Sequence, residues 1–111
     1  MMIYHDKLAK KELNPGVIFQ YFAKGQEMMV YHWNMADGSK VEMHTHESEQ
    51  FGFCIKGGFK IIEDGKEYEI GAGDAYIIPP NVPHSFIAVG DTEAIDVFHP
   101  LREFLPDGNK A

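Results

Sequence analysis

Short runs of apolar and aromatic residues, many of them alternating with polar positions, fill the chain from residue 17 onward. Alternation with a period of two is the pattern of a strand that buries one face, and almost no stretch repeats with the period of a helix. Gly, Asp, Asn and Pro, which favour turns, separate the runs. The pattern predicts nine short strands, at residues 17–22, 28–35, 41–46, 50–56, 59–63, 66–70, 74–78, 84–89 and 94–99. Many short, evenly spaced strands are typical of an all-β barrel or sandwich.

Turn residues limit several of these strands. Asp64-Gly65 predicts a two-residue hairpin turn, because glycine tolerates the positive φ that such a turn requires. The prolines at 79–80 end the strand that precedes them, since proline donates no hydrogen bond to a sheet. Ahead of the strands, we expect a short helical turn from Asp6 to Leu13 that ends at Asn14-Pro15-Gly16.

Composition narrows the class of protein. The 111 residues, 44% of them hydrophobic, suit one domain with a single packed core. A net charge of −7 gives no general attraction for nucleic acid or anionic membranes, so we expect neither as a partner. The one cysteine, Cys54, excludes an intramolecular disulfide and fits a reducing compartment. Because no apolar run resembles a signal peptide or a membrane span, we expect a cytoplasmic protein.

Candidate metal ligands follow the turn at residues 36–38. His44 and His46 lie two residues apart, so on one strand both imidazoles would point to the same face. Gln50 shares their parity, whereas Glu47 and Glu49 have the opposite one. Two imidazoles aimed at one point suit a metal ion. The alternative is that the pair is simply polar surface on a strand, as most His-x-His pairs are.

A third histidine comes from a separate segment. Residues 73–84 form a short apolar strand, a proline-rich loop and then His84, where the chain can become a strand again. A histidine delivered by a rigid loop is what a site of three imidazoles requires.

The two segments resemble the two motifs of the cupins. The first match is Gly38, five residues, His44-x-His46, three residues, Gln50, six residues and Gly57, and the second is Gly73, five residues, Pro79 and then His84. The resemblance implies a double-sheet jelly-roll barrel, here about residues 17–99 of a single domain 1–111 with a short N-terminal extension. It also implies one divalent metal ion, and the residues that match the family's ligands are His44, His46, Gln50 and His84.

Two residues depart from these motifs. Asn81 replaces a glycine, and asparagine also tolerates positive φ, so the loop can keep its shape. Gln50 replaces the usual glutamate, and its neutral amide oxygen leaves the charge of the ion uncompensated. Such a centre favours an anionic substrate group or hydroxide. Zinc, nickel, iron, cobalt and manganese all suit three imidazole ligands.

Three phrases resemble a subset of the cupins, the pectin degradation proteins. They are His-Glu-Ser-Glu-Gln at 46–50, Ile-Pro-Pro-Asn-Val-Pro-His at 78–84 and Asp-Val-Phe-His-Pro-Leu-Arg-Glu at 96–103. The resemblance implies conversion of a cyclic unsaturated uronate, a small anionic sugar acid, to its linear keto form. It implies cavity-facing roles for Asp96, Phe98 and Arg102, whereas His99 and Leu101 differ from residues common in the subset. For small cupins in general it implies a homodimer.

Residue chemistry supports these roles. Asp96 and Phe98 share parity, so both can face the interior. We predict Asp96 and Gln50 as catalytic residues, with Asp96 as general acid and base, and Phe98 and Arg102 as substrate-binding residues. Arg102 would clamp a substrate carboxylate through two parallel hydrogen bonds. In the alternatives, Arg102 instead pairs with an acidic neighbour: Asp96, Glu93 or Glu103.

The sequence leaves three other functions open. An iron-dependent dioxygenase would use the same histidines and would consume oxygen. A binding module would hold a sugar or carboxylate through the metal without turnover. A structural barrel would bind no metal.

Overall fold

The computed structural model describes residues 1–111 and contains ten β-strands, preceded by one 3-10 turn at His5–Lys7. The strands are β1 (Lys11–Asn14), β2 (Val17–Lys24), β3 (Met29–Met35), β4 (Lys40–His44), β5 (Glu49–Lys56), β6 (Gly58–Glu63), β7 (Lys66–Gly71), β8 (Ala75–Ile78), β9 (His84–Ala88) and β10 (Thr92–His99). The predicted all-β class is confirmed, and β2 to β10 correspond to the nine predicted strands. No helix is long and apolar enough to span a membrane.

The strands form two antiparallel sheets that pack as a jelly-roll barrel. The larger sheet has the order β1-β2-β3-β10-β5-β8, and the smaller has the order β4-β9-β6-β7. Buried and partly exposed residues alternate along β10, so Asp96 and Phe98 face the interior. The hydrophobic core draws on both sheets, and each fully buried Phe or Ile contributes on the order of 1.5–3 kcal/mol to it.

The predicted helical turn from Asp6 to Leu13 is wrong for most of its length. Only His5–Lys7 forms a 3-10 turn, and Lys11–Asn14 is the edge strand β1, paired with β2. Leu13 packs against the core from this strand. A short isolated helix is marginal in water, so strand pairing and burial of Leu13 outweigh the local helix signal.

The strand that carries the histidines ends earlier than the alternation predicts. β4 ends at His44, and residues 45–48 cross from the smaller sheet to the larger one, where β5 begins at Glu49. His46 therefore lies on the connection, and its carbonyl oxygen accepts a hydrogen bond from the amide of Asn81 at 2.8 Å. This crossing brings side chains from both sheets to one place.

Two predicted turn features are confirmed. Asp64 and Gly65 have φ angles of 50° and 78°, as a hairpin turn with two left-handed residues requires. Asn81 has a φ of 64°, so asparagine does adopt the left-handed conformation in the loop before His84.

The C-terminal tail returns to β1. Leu101 and Leu105 pack against the core, and Lys11 Nζ lies 2.7 Å from Asp107 Oδ2. An ion pair at the protein surface adds little stability, so the apolar contacts hold the tail in place.

Candidate metal centre

Three histidines converge between the two sheets. His44 at the end of β4 lies directly opposite His84 at the start of β9, and His46 joins them from the connection. One ring nitrogen of each lies within 4.8 Å of one ring nitrogen of both others. The structure therefore brings the three predicted histidines together.

Backbone carbonyl groups hold each imidazole in place. The Nδ1 atom of each ring lies 2.8 Å from a carbonyl oxygen two residues away, with the pairs being His44 and Glu42, His46 and Ser48, and His84 and Val82. A carbonyl only accepts, so Nδ1 carries the proton and Nε2 of a neutral ring keeps its lone pair. Nε2 of His84 is buried and has no hydrogen-bond partner.

Burial keeps these rings neutral. Desolvation lowers the pKa of all three histidines, that of His84 to about 4, and the positive charge of Arg102 acts in the same direction. Neutral imidazole is the form that binds a metal. Near pH 7 protons therefore compete little for these three nitrogens.

Gln50 adds an oxygen atom to the histidine cluster. Its side chain is buried, its Nε2 donates to Asp96 Oδ1 at 3.0 Å, and its Oε1 lies 3.0 Å from Nε2 of His46. Because that nitrogen carries a lone pair, two acceptors face each other at hydrogen-bond distance. A cation beside both removes the repulsion. The unpartnered His84 nitrogen and this acceptor pair therefore fit a divalent ion held by three imidazoles and one amide oxygen.

Asp96 lies next to Gln50 in the interior of the barrel. Its Oδ1 accepts hydrogen bonds from Gln50 and, at 2.6 Å, from the hydroxyl of Tyr76, whereas its Oδ2 has no hydrogen-bond partner. Burial raises the pKa of Asp96, and the side chains of Tyr76, Gln50 and Trp33 lower it in part. A carboxyl group with one fixed and one free oxygen is suited to take up and return a proton.

Arg102 lies over aromatic rings rather than beside a carboxylate. Its guanidinium carbon is 5.4 Å from the ring centroid of Phe98 and 5.9 Å from that of Tyr31. No ion pair in the structure involves Arg102. In the structure, therefore, no acidic neighbour neutralises Arg102, in contrast to the alternatives.

Glu93, one of those acidic neighbours, has another partner. Its Oε2 lies 2.7 Å from Nε2 of His32, which is buried on the opposite face of β3 from Trp33. His32 therefore belongs to the outer face of the larger sheet and not to the histidine cluster.

These groups border a cavity of about 650 Å³, a volume within the range of small-molecule sites. The predicted residues that line it are His44, Gln50, Asp96, Phe98 and Arg102, whereas His46 and His84 do not. β1 and residues 105–108 of the tail also line it.

Two residues beside Asp96 were not among the predicted site residues. Tyr76 donates to Asp96, and Trp33 lines the same cavity with its buried indole N–H close enough to Asp96 to lower the pKa of that carboxyl group. Their inward parity, shared with buried Ile78 and Met35, is the signal that would have placed both inside. The sequence gives no sign that Tyr76 reaches Asp96.

A family model described as a cupin domain matches residues 31–98, more than half of the chain. The chain is a cupin. This cupin is 25% identical over 103 residues to the pectin degradation protein KdgF of Dickeya dadantii (strain 3937), covering 90% of this chain and 94% of that protein. The predicted resemblance to the cupins and to the pectin degradation proteins is confirmed.

This cupin is also similar to an isomerase and to a solved structure. It is 27% identical over 94 residues to H2HPP isomerase of Bacillus subtilis, covering 83% of this chain but only 40% of that protein. The solved structure of KdgF from Halomonas sp. superposes with a TM-score of 0.86 at 24% identity, over 93% of this chain and 96% of that one. The chain thus spans less than half of the isomerase, and the Halomonas structure shows a shared fold.

The cavity of this cupin combines three kinds of chemistry. The histidine cluster with Gln50 offers donors to a cation, Arg102 offers an unneutralised positive charge, and Asp96 offers a free carboxyl oxygen. Together they suit a small anionic molecule that gains and loses a proton.

Proposed function

We propose that this cupin is a metal-dependent isomerase that converts a cyclic unsaturated uronate, or a similar sugar acid, to its linear keto form. The observation that carries the proposal is the shared cavity. In it the free Oδ2 of Asp96 and the unneutralised Arg102 lie with His44 and Gln50, and His46 and His84 complete the set of four metal-binding residues from beside the cavity. The similarity to an isomerase supports the reaction class, and the similarity to a pectin degradation protein supports a sugar-acid substrate.

The metal site consists of His44, His46, His84 and Gln50, and it would hold one divalent transition metal ion. When bound, this ion acts as a Lewis acid that stabilises negative charge on a substrate oxygen. The neutral amide of Gln50 leaves that positive charge undiminished.

The remaining residues bind the substrate and move one proton. Arg102 binds the substrate carboxylate, and Phe98 forms an apolar wall of the cavity. Asp96 takes the proton of the ring hydroxyl as the neighbouring ring C–O bond breaks, which opens the sugar to an aldehyde and an enolate. Asp96 then delivers that same proton to the enolate carbon, and the enolate oxygen becomes the oxygen of a ketone. The atoms are only rearranged, and nothing is oxidised or reduced.

The test is to mix metal-loaded protein with an unsaturated uronate and to follow loss of the cyclic form by NMR. We expect faster conversion than in buffer. Conversion at the buffer rate would refute the isomerase. Oxygen consumption would indicate the dioxygenase instead, and saturable binding without product would indicate a binding module.

The matched variant is Asp96→Asn. Asparagine keeps an Oδ1 that accepts from Gln50 and Tyr76, so the fold and the metal content should be retained. Loss of the basic oxygen should lower turnover about 100-fold or more. A variant that keeps wild-type turnover would remove Asp96 from the proposed mechanism.

We also propose that the protein forms a homodimer through the outer face of the larger sheet. Phe51, Phe53 and Ile55 on β5 and Ile77 on the edge strand β8 are 40–54% exposed, and Phe51 lies directly opposite Ile77. At 150–250 Å² for a large side chain, these four expose roughly 350 Å², a patch that often marks an interface in a monomer of this size. A second copy related by a two-fold axis would cover the same patch on both molecules.

A further inference from the structure

Three neighbouring strands place Asp96, Gly52 and Tyr76 side by side. In the register of the larger sheet, Asp96 on β10 lies opposite Gly52 on β5, and Gly52 lies opposite Tyr76 on β8. Tyr76 and Asp96 are therefore separated by one whole strand, yet the Tyr76 hydroxyl lies 2.6 Å from Asp96 Oδ1. The tyrosine reaches its partner only by crossing over Gly52.

Only glycine fits at position 52, because the ring of Tyr76 occupies the space where a side chain would lie. A Cβ atom on Gly52 would lie 2.0 Å from Cζ and 2.3 Å from the hydroxyl oxygen of Tyr76. Real Cβ contacts are never so short, so any side chain at position 52 must displace the ring. Gly52 lies within β5 and has no positive φ, so the glycine serves the close approach and not an unusual backbone conformation.

Tyr76 can influence the metal site through Asp96, because Asp96 orients the side-chain amide of Gln50. An amide side chain has a donor end and an acceptor end of nearly the same shape. In the orientation observed, the NH₂ group faces Asp96 Oδ1 and the oxygen faces Nε2 of His46. The reversed amide would donate to that same nitrogen and would block it as a ligand.

Tyr76 makes the reversed amide unfavourable. Its hydroxyl donates to Oδ1 of Asp96, so that oxygen has to accept and cannot present a proton of its own to Gln50. Only the NH₂ end of the amide then matches Asp96. The chain of contacts runs from Gly52 through Tyr76 and Asp96 to the oxygen of Gln50.

We infer that Gly52 and Tyr76 are positioning residues that fix the amide of Gln50 with its oxygen toward the histidine cluster. The inference rests on the metal site of the proposed function, but it concerns ligand orientation and does not depend on which substrate is converted. Residues that orient metal ligands typically contribute 10- to 100-fold to metal affinity.

The experiment measures Co²⁺ binding by calorimetry and by the visible absorption of the bound ion, without any substrate. We expect Tyr76→Phe to weaken Co²⁺ binding by about tenfold or more and to change the absorption bands, since the amide oxygen is no longer held as a ligand. Gly52→Ala should do the same by displacing the ring. Tyr68→Phe, which removes an exposed hydroxyl from the smaller sheet, is the matched control and should bind like wild type.

A double-mutant cycle separates this mechanism from general damage to the sheet. If Gly52→Ala acts through the ring, it should change Co²⁺ affinity by less than about twofold when Tyr76 is already alanine. Wild-type affinity and spectrum in Tyr76→Phe, which is the variant least expected to disturb folding, would overturn the inference. So would absence of Co²⁺ binding by the wild-type protein. Wild-type protein that binds Co²⁺ but leaves uronates unconverted would refute the proposed reaction alone.

Discussion

Replacing Gln50 by glutamate places a second carboxylate beside Asp96. In the wild-type protein the Gln50 amide nitrogen lies 3.0 Å from Asp96 Oδ1 and donates to it. A glutamate there would replace this hydrogen bond by two like charges. At that separation two unit charges repel by about 5 kcal/mol with an effective dielectric constant of about 20. The metal-free variant should therefore bind one proton between the two carboxyl groups.

The retained proton determines in which direction, and over which pH range, the stability of Gln50→Glu changes relative to wild type. The paired carboxyl group has a folded-state pKa above its unfolded value of about 4, so the folded variant binds more protons than the unfolded chain as pH rises from there. Stability relative to wild type should then fall by about 1.4 kcal/mol per pH unit, until the shared proton is lost. By pH 6.5 the loss reaches about 3 kcal/mol, or roughly 13 °C in melting temperature.

The assay is thermal unfolding of metal-free wild type and Gln50→Glu at several values between pH 4.5 and 7. The matched control is Gln50→Glu with Asp96→Asn, which exchanges the amide and the carboxylate and restores a donor and an acceptor. We expect the control to lose the pH dependence. An equal deficit at pH 4.5 and pH 7, or the same slope in the exchanged variant, would show that the two side chains do not interact as the structure indicates.

Three further predictions address the site and the surface. Arg102→Lys keeps the charge but loses the paired hydrogen bonds, so the KM for an anionic substrate should rise several-fold in steady-state assays while the melting temperature stays within about 2 °C of wild type. Adding Zn²⁺ or Co²⁺ at 100 times its Kd should stabilise wild type by about 2.7 kcal/mol in thermal unfolding, whereas His84→Ala should show no comparable gain. Ile77→Lys should halve the mass measured by light scattering if the outer face of the larger sheet is the dimer interface, and Tyr68→Lys on the smaller sheet should not; a dimer that survives Ile77→Lys excludes that interface.

Sequence patterns of a few residues predicted those features that depend only on neighbouring residues. Alternation placed Asp96 and Phe98 on the inner face of β10, and Asp64-Gly65 set the hairpin between β6 and β7. These predictions hold because the direction of a strand side chain and the φ angle of a turn residue are properties of a few neighbouring residues.

Features that depend on distant partners could not be predicted in the same way. Leu13 lies on a strand because β2 and the core are available to it, which residues 6–13 alone do not reveal. Parity placed Gln50 inside, but the direction of its amide depends on Asp96, 46 residues further along the chain. The reach of Tyr76 across Gly52 requires the strand order of the larger sheet.

The central place of β10 has a consequence for biosynthesis. β10 lies between β3 and β5 in the larger sheet, although it is the last strand in the sequence. While the nascent chain emerges from the ribosome, β3 and β5 each lack a neighbour, and their open edges are available for incorrect pairing. The sheet can assemble only when residues 92–99 are free of the exit tunnel, so the cavity and its carboxylate form only after β10 has emerged.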